Sequence, residues 1–182
     1  MTEVSINKQA RLSQHLTLSS VAALGHSSEL DGSHLTPHFT LAEMCKTSAK
    51  TQDGNIPSHV HIENLKRLCG WLEMLRSEWN KRYGEGDDPI VINSGYRSEA
   101  VNKAVGGVSG SNHLTGCAAD IRVAGMEQLV RYAVILLDIS DESCEDFDEL
   151  LLERSPRGGY WLHFAVRPTG NRRKVRLIQS LH

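Results

Sequence analysis

The sequence lacks the features that mark a membrane protein, a disulfide-bonded protein or a nucleic-acid-binding protein. Residues 1–38 contain no charged segment followed by a continuous apolar run, so neither a signal peptide nor a transmembrane span is predicted. The four cysteines are widely separated and form no C-x-x-C pair, so we expect reduced thiols and neither a redox motif nor a cysteine zinc site. A net charge of −2 provides no basic field that would attract nucleic acid.

The composition is that of a single globular domain. A chain of 182 residues with 40% hydrophobic and 23% charged residues is long enough to bury one sizeable core. We interpret residues 39–182 as this domain and residues 1–38 as an N-terminal leader or a partly helical extension. The basic group Arg172–Lys174 is interpreted as a solvated strand end, with contact to an anionic wall polymer as the less favoured alternative.

Hydrophobic periodicity predicts two main helices and a few short strands. Apolar residues recur every three or four positions from His59 to about Tyr83, and again from Gly125 to Asp138. Thr40 and Glu43 have the spacing of a capping box, which predicts a short helix. His59 and His61 fall on different faces of the first turn, so we expect surface or capping residues. The predicted strands are Pro89–Asn93, Ala118–Val123, Phe147–Arg154 and Tyr160–Val166, the last two forming a hairpin.

Three residues are candidates for metal ligands. His113 and Asp120 lie seven positions apart in the pattern Ser-x-His-x-x-Gly-x-Ala-x-Asp. An imidazole and a carboxylate are ordinary zinc ligands, and a catalytic zinc site needs three protein ligands with a fourth position open. His163, in the segment YWLHFAV, is the candidate for the third ligand. A lone histidine on a strand is more often a packed core residue, so local sequence leaves that alternative open.

Three segments together resemble the zinc D-Ala-D-Ala carboxypeptidase family. They are SGYRS (Ser94–Ser98), the pattern Ser111–Asp120, and Trp161–His163. Relatives in this superfamily include phage endolysins, vancomycin-resistance dipeptidases and the hedgehog signalling domain. The chain is most similar to the small carboxypeptidase-like domain of phage and prophage proteins, from about Phe39 to about Val175. The resemblance implies an α+β fold with a small antiparallel sheet and helices packed on one side.

The resemblance also implies an activity. It predicts a zinc metallopeptidase that cleaves a stem or cross-bridge peptide of peptidoglycan, as a D-Ala-D-Ala carboxypeptidase or as an endolysin-type endopeptidase of a bacteriophage. The alternative is a catalytically inactive, zinc-stabilised binding or virion module, as in the hedgehog domain. Without a signal peptide, we expect a cytoplasmic protein released by lysis or a holin, or a virion-associated one. No membrane or nucleic-acid partner is predicted.

The general base departs from the pattern of the dipeptidase relatives. Those relatives have a Glu three residues before the last histidine, where this sequence has Tyr160. A phenol with a pKa near 10 is a poor base at neutral pH. Glu153, at the end of the preceding strand, is therefore the candidate base, and Glu149 on the same strand face is the reserve candidate. Each could instead be a solvated charge on an edge strand.

The remaining site residues are assigned to the substrate. Arg97 offers fixed donors for a carbonyl or carboxylate group, and the resemblance supports Arg97 and Ser111 as substrate contacts. The alternative for Arg97 is a structural clamp on a neighbouring carboxylate. Trp161 shares the face of His163, where it either walls the pocket or packs beneath it. Tyr96 is a further candidate contact.

Overall fold

Two long helices pack against one face of a five-stranded β-sheet in the computed structural model, which describes residues 33–179. The helices are α1 (Leu41–Met44), α2 (His59–Arg82), α3 (Glu99–Ala104) and α4 (Met126–Ser143), with a 3-10 helix at Asn112–Thr115. The strands are β1 (His34–Thr36), β2 (Phe39–Thr40), β3 (Ile92–Ser94), β4 (Ala118–Arg122), β5 (Glu149–Arg154), β6 (Tyr160–Ala165) and β7 (Lys174–Gln179). The α+β fold expected from the sequence is confirmed.

Local sequence explains where the helices begin. Ser58 caps α2 by accepting a hydrogen bond from the backbone N–H of His61, whose side chain accepts from the backbone N–H of Ser58. Thr40 and Ser98 cap α1 and α3 in the same way, each through its hydroxyl oxygen. The predicted capping role of His61 is therefore confirmed. Helix α4 ends at Ser143, five residues beyond the predicted end, because Ile139 and Ser140 are also buried in the domain.

The strand order in the sheet is β3-β4-β6-β5-β7. The first four strands in this order are antiparallel, whereas β7 pairs in parallel with β5. Both edges of β6 are already occupied, by β4 and β5, so the chain crosses the end of β5 and adds β7 to its free edge. The sequence did not predict this parallel strand.

Alternation along the strands gives the sheet two different faces. Residues such as Ile121, Leu150, Leu162 and Phe164 face the helices and are fully buried in the hydrophobic core. Asp120 pairs with His163 on the other face. Glu149, Glu153 and Trp161 lie on this same face by alternation along β5 and β6. Polar and ionisable side chains are thus collected on the face without helices.

The structure extends the domain beyond its predicted N-terminal boundary. Strand β1 lies before the predicted boundary at residue 39, pairs with β2 and contacts α2, so the domain includes His34–Thr36. The rest of the predicted leader, residues 1–32, lies outside the described residues. No helix between residues 33 and 179 has the length and apolar character needed to cross a membrane.

Arg172–Lys174 leads into the start of β7, and Arg172 and Arg173 are exposed, as predicted for a solvated strand end, but all three residues also make ion pairs with the domain. Arg172 donates two hydrogen bonds of 2.7 Å to Asp148, and Lys174 donates one of 2.8 Å to Glu149. Arg173 pairs with Asp141 at the end of α4. The Asp148 carboxylate is 0% exposed and needs cationic partners, which explains why these basic residues lie against the domain.

Candidate metal centre

Three different elements bring the predicted ligands together. Asp120 on β4 and His163 on β6 are direct partners in the antiparallel register. His113 lies on the 3-10 helix, whose first amides are capped by Ser111 through a 3.3 Å bond to the His113 N–H. Gly116 then turns the chain into β4 with φ of 71°, and a side chain there would meet the backbone of His61.

The donor atoms have the spacing of a metal site. The Oδ1 atom of Asp120 lies 3.2 Å from Nε2 of His113 and 2.9 Å from Nδ1 of His163, and all three ligand atoms lie within 4.8 Å of one another. Tetrahedral zinc with bonds of 2.0–2.2 Å places its ligand atoms about 3.4 Å apart. Two nitrogens and one carboxylate oxygen at these distances fit a zinc ion.

A second layer of contacts orients two of these ligands. Nδ1 of His113 donates a 2.6 Å hydrogen bond to the carbonyl of Gly95, which leaves Nε2 as the metal-binding nitrogen. Arg97 donates from Nη2 to Oδ2 of Asp120 and from Nε to Oγ of Ser94, at 2.8 Å. The contact to Oδ2 leaves Oδ1 of Asp120 facing the two histidines.

Glu149 lies behind the third ligand. Its Oε2 is 3.6 Å from Nε2 of His163, so Nδ1 of the imidazole faces Asp120. Asn112 donates to the same Oε2 at 3.1 Å, and Lys174 donates to Oε1 at 2.8 Å. This network holds the carboxylate charged, because the contact with His163, and then Lys174, keep the pKa of Glu149 well below its usual range despite burial.

Electrostatics within the cluster are dominated by Asp120. Burial alone would favour its neutral form, but His113 and His163 outweigh burial and hold the pKa of Asp120 well below its usual range. Burial likewise disfavours a charged His163, yet the contacts with Asp120 and Glu149 raise its pKa to about 9. The cluster therefore attracts positive charge, as a cation site must.

Glu153 has the opposite environment to Glu149. Glu153 pairs with Trp161 on the neighbouring strand β6, and Trp161 is two residues before His163. Glu153 and His163 are therefore diagonal neighbours, for which separations of about 7–8 Å are usual. The side chain is half-buried and makes no ion pair or side-chain hydrogen bond within residues 33–179. Burial raises its pKa, only partly countered by His163. Of the two glutamates, Glu153 is the one whose carboxylate remains available for proton transfer.

The predicted substrate residues fall in different surroundings. Arg97 and Ser111 both contact the ligand set, through Asp120 and through the backbone of His113. Trp161 is half-buried and pairs in register with Glu153 on the open face. Their substrate roles stay predictions.

Two aromatic residues lie away from the ligands. Tyr96 is 6% exposed, belongs to the hydrophobic core and packs against the ring of His61. Its side chain offers little surface to a substrate, and its substrate role stays a prediction. Tyr160 packs against the core and is directed to the opposite face of β6 from His163. The position that carries a Glu in the dipeptidase relatives therefore does not face the ligands here.

Sequence reasoning missed the role of the residues that support the ligands. Asn112 and Lys174 hold Glu149, and Asp148 ties Asn112 to Arg172. The position of Asn112 next to His113 was the only local signal, because the others depend on the β5–β7 pairing. All four cysteines are free thiols, as predicted, and Cys117 is buried outside the ligand cluster.

Comparison with known proteins supports the resemblance noted in the sequence. The chain is 32% identical over 94 residues to the zinc D-Ala-D-Ala carboxypeptidase of Streptomyces albus G, a match that covers 51% of this chain. The matched region spans only 34% of that relative, about a third of its length. The profile of the family described as Peptidase M15 matches residues 37–136, which include His113 and Asp120 but not His163 or Glu153. Since this match covers more than half of the 182 residues, the chain belongs to the peptidase M15 family.

Proposed function

We propose that this chain is a zinc-dependent peptidase that hydrolyses a peptide bond in peptidoglycan. The observation that carries the proposal is the cluster of His113, Asp120 and His163 on the open face of the sheet, with Glu153 beside it, which makes no ion pair among residues 33–179. Family membership supports the peptidase class, and the relative named for D-Ala-D-Ala supports a cell-wall substrate.

The proposed mechanism assigns a separate task to each residue. Zinc held by the three ligands would lower the pKa of water to about 7 and polarise a carbonyl group. The Glu153 carboxylate accepts a proton from the attacking water and returns it to the nitrogen of the leaving amine. Its burial favours this role, because a base with a raised pKa holds the transferred proton more readily.

Arg97 is assigned two tasks. Its Nη2 and Nε atoms hold Asp120 and Ser94, whereas Nη1 makes no hydrogen bond to residues 33–179. We assign Nη1 to a carbonyl or carboxylate oxygen of the substrate, because a guanidinium presents its donors in a fixed planar fork. Ser111 is assigned to the same side of the site through its contact with His113.

The experiment that tests the proposal is the release of new amino termini from purified peptidoglycan. The zinc-loaded protein is compared with a chelated sample and with the His113→Ala variant, and the products are identified by mass spectrometry. Release of free D-alanine identifies a carboxypeptidase, whereas release of larger peptides identifies an endopeptidase of the endolysin type. Only the zinc-loaded parent should act.

The opposite result would favour a different class. If the protein carries one zinc per chain but releases no termini, the chain is better explained as a zinc-stabilised binding or virion module. If it acts, its substrate lies outside the cytoplasmic membrane, and we infer that the protein reaches the wall after lysis or as part of a virion.

A further inference from the structure

The side of the ligand cluster formed by β5 and β7 has more positive than negative charge. Four cations lie there, on or near these strands, against three carboxylates, which leaves an excess of one positive charge. The cations are Arg167, Arg172, Lys174 and Arg176, and the carboxylates are Asp148, Glu149 and Glu153. The chain as a whole has a net charge of −2, so this excess is local.

Arg176 is the cation of this group that is left without a partner. Arg167 and Arg172 pair with Asp148, and Lys174 pairs with Glu149. Arg176 is exposed and makes no ion pair with any residue from 33 to 179. Its charge is therefore available for a ligand.

The sheet register places Arg176 on the same face as the metal ligands. Arg176 pairs with Leu151 on β5, and Leu151 pairs with His163 on β6. The 2.8 Å bond between Lys174 and Glu149 shows that this side of β7 faces the ligand side of the sheet, and Arg176 follows Lys174 by two residues.

The distance suits recognition of a group close to the bond that is cut. Two strand spacings separate Arg176 from His163, which is about 9.5 Å. An extended peptide covers this distance in about three residues. The residue between them in the register is apolar, since it is Leu151, which is 7% exposed, and Ile178, beside Glu153, is half-buried. A peptide lying across this surface would bring its third residue to the guanidinium.

We propose that Arg176 binds a carboxylate group of the peptide substrate, two to three residues from the scissile bond. The inference rests on the proposed peptidase function and adds the substrate class, which is a peptide with an acidic residue near the cleaved bond.

The test uses two synthetic pentapeptides that end in D-Ala-D-Ala. In both, the second residue is D-glutamate, which is the third residue on the N-terminal side of the bond between the two D-alanines. One carries the free α-carboxylate of that D-glutamate and the other carries the amide. The value of kcat/KM is measured for both peptides with the zinc-loaded parent, Arg176→Gln and Arg154→Gln. Arg154 is the matched control, because it removes an exposed arginine from the opposite face of the same sheet. Zinc content and circular dichroism confirm that each variant is folded.

The parent should prefer the carboxylate peptide by about fivefold, as expected for one solvent-exposed ion pair. Arg176→Gln should lower this ratio to about one, and Arg154→Gln should keep it. The preference of the parent should also weaken as salt is added. A role of Arg176 in stability alone would change both peptides equally and leave the ratio intact.

Three results would overturn the inference. If the parent cleaves both peptides equally, or if Arg176→Gln retains the preference, Arg176 does not read the carboxylate, while the peptidase function stands. If the parent neither cleaves nor binds either peptide, as measured by calorimetry on the zinc-loaded Glu153→Gln protein, the inference falls; the proposed function falls with it only if the zinc-loaded parent also releases no termini from purified peptidoglycan.

Discussion

The two glutamates of β5 should respond differently to the same substitution. Glu149 and Glu153 lie four residues apart on one strand and on the same side as His163, but among residues 33–179 cations bind Glu149 and not Glu153. Replacement of either by Gln removes one negative charge and nearly preserves the shape of the side chain. The pair therefore provides an internal control.

Glu153→Gln should abolish most turnover and leave the metal in place. A positioned general base contributes about 10²–10⁴ in rate, which corresponds to about 2.7–5.5 kcal/mol of transition-state stabilisation. Glu153 makes no ion pair or hydrogen bond with His163 within the described part of the chain, so its replacement removes no direct contact of a metal ligand. The expected result is a fall in kcat of that size, with zinc affinity within about twofold of the parent.

Glu149→Gln should mainly weaken zinc binding. The Glu149 carboxylate lies 3.6 Å from Nε2 of His163 and directs Nδ1 of that ring towards Asp120. Loss of such a supporting carboxylate typically costs 10–100-fold in metal affinity, or about 1.4–2.7 kcal/mol. Competition with a chromogenic chelator measures the zinc affinity, and turnover is compared at saturating zinc.

The reasoning is refuted if the two variants exchange their effects. Full activity of zinc-saturated Glu153→Gln would remove Glu153 as the base. A large loss of kcat in zinc-saturated Glu149→Gln, with unchanged zinc affinity, would transfer that role to Glu149.

Three further predictions follow from contacts around the site. Asp148→Asn should lower the free energy of unfolding by about 2–3 kcal/mol in urea titrations at neutral pH, because it removes the charge of a buried carboxylate. Burial favours the neutral acid, but the hydrogen bonds from Arg172 and Asn112 outweigh it and lower the pKa of Asp148 in the folded state. The contribution of the Asp148 charge to stability is therefore complete above the unfolded-state pKa near 3.9 and is lost as pH falls further. The free energy of unfolding of the variant should therefore fall less steeply in acid than that of the parent. Gly95→Ala should destabilise by about 1–3 kcal/mol in the same assay, because its Cβ would clash with the carbonyl oxygen of Met44. Arg97→Lys should weaken zinc binding about tenfold in the chelator assay, since a lysine cannot reproduce the fork that holds the Asp120 carboxylate; unchanged affinity would remove the clamp.

The ligands were predictable because their signals are local or shared with a family. The spacing of His113 and Asp120 across Gly116 specifies a turn into a strand, and the structure places both on one side of it. The position of His163 required the resemblance, because alternation in YWLHFAV identifies a face of a strand without identifying its partner. The helices followed directly from periodicity and capping residues.

The supporting network was not predictable, because it depends on contacts between distant segments. Asp148 looks like a solvent-exposed residue in the sequence Phe-Asp-Glu, and Arg172 looks like part of a basic tail. They meet only because the chain crosses the end of β5 before it forms β7. The choice between Glu149 and Glu153 depended on the same pairing, which places Lys174 beside Glu149, whereas Glu153 has no ion-pair partner in the described part of the chain.

The alternation of core residues and site residues along β6 limits where residues can be inserted into this chain. Leu162 and Phe164 supply the core, while Trp161 and His163 occupy the opposite side of the same strand. One inserted residue before His163 would turn the histidine into the core and expose a leucine, so fold and ligand set would be lost together. Insertions in the turn at residues 155–159 leave this alternation unchanged, and that turn is where homologues can vary in length.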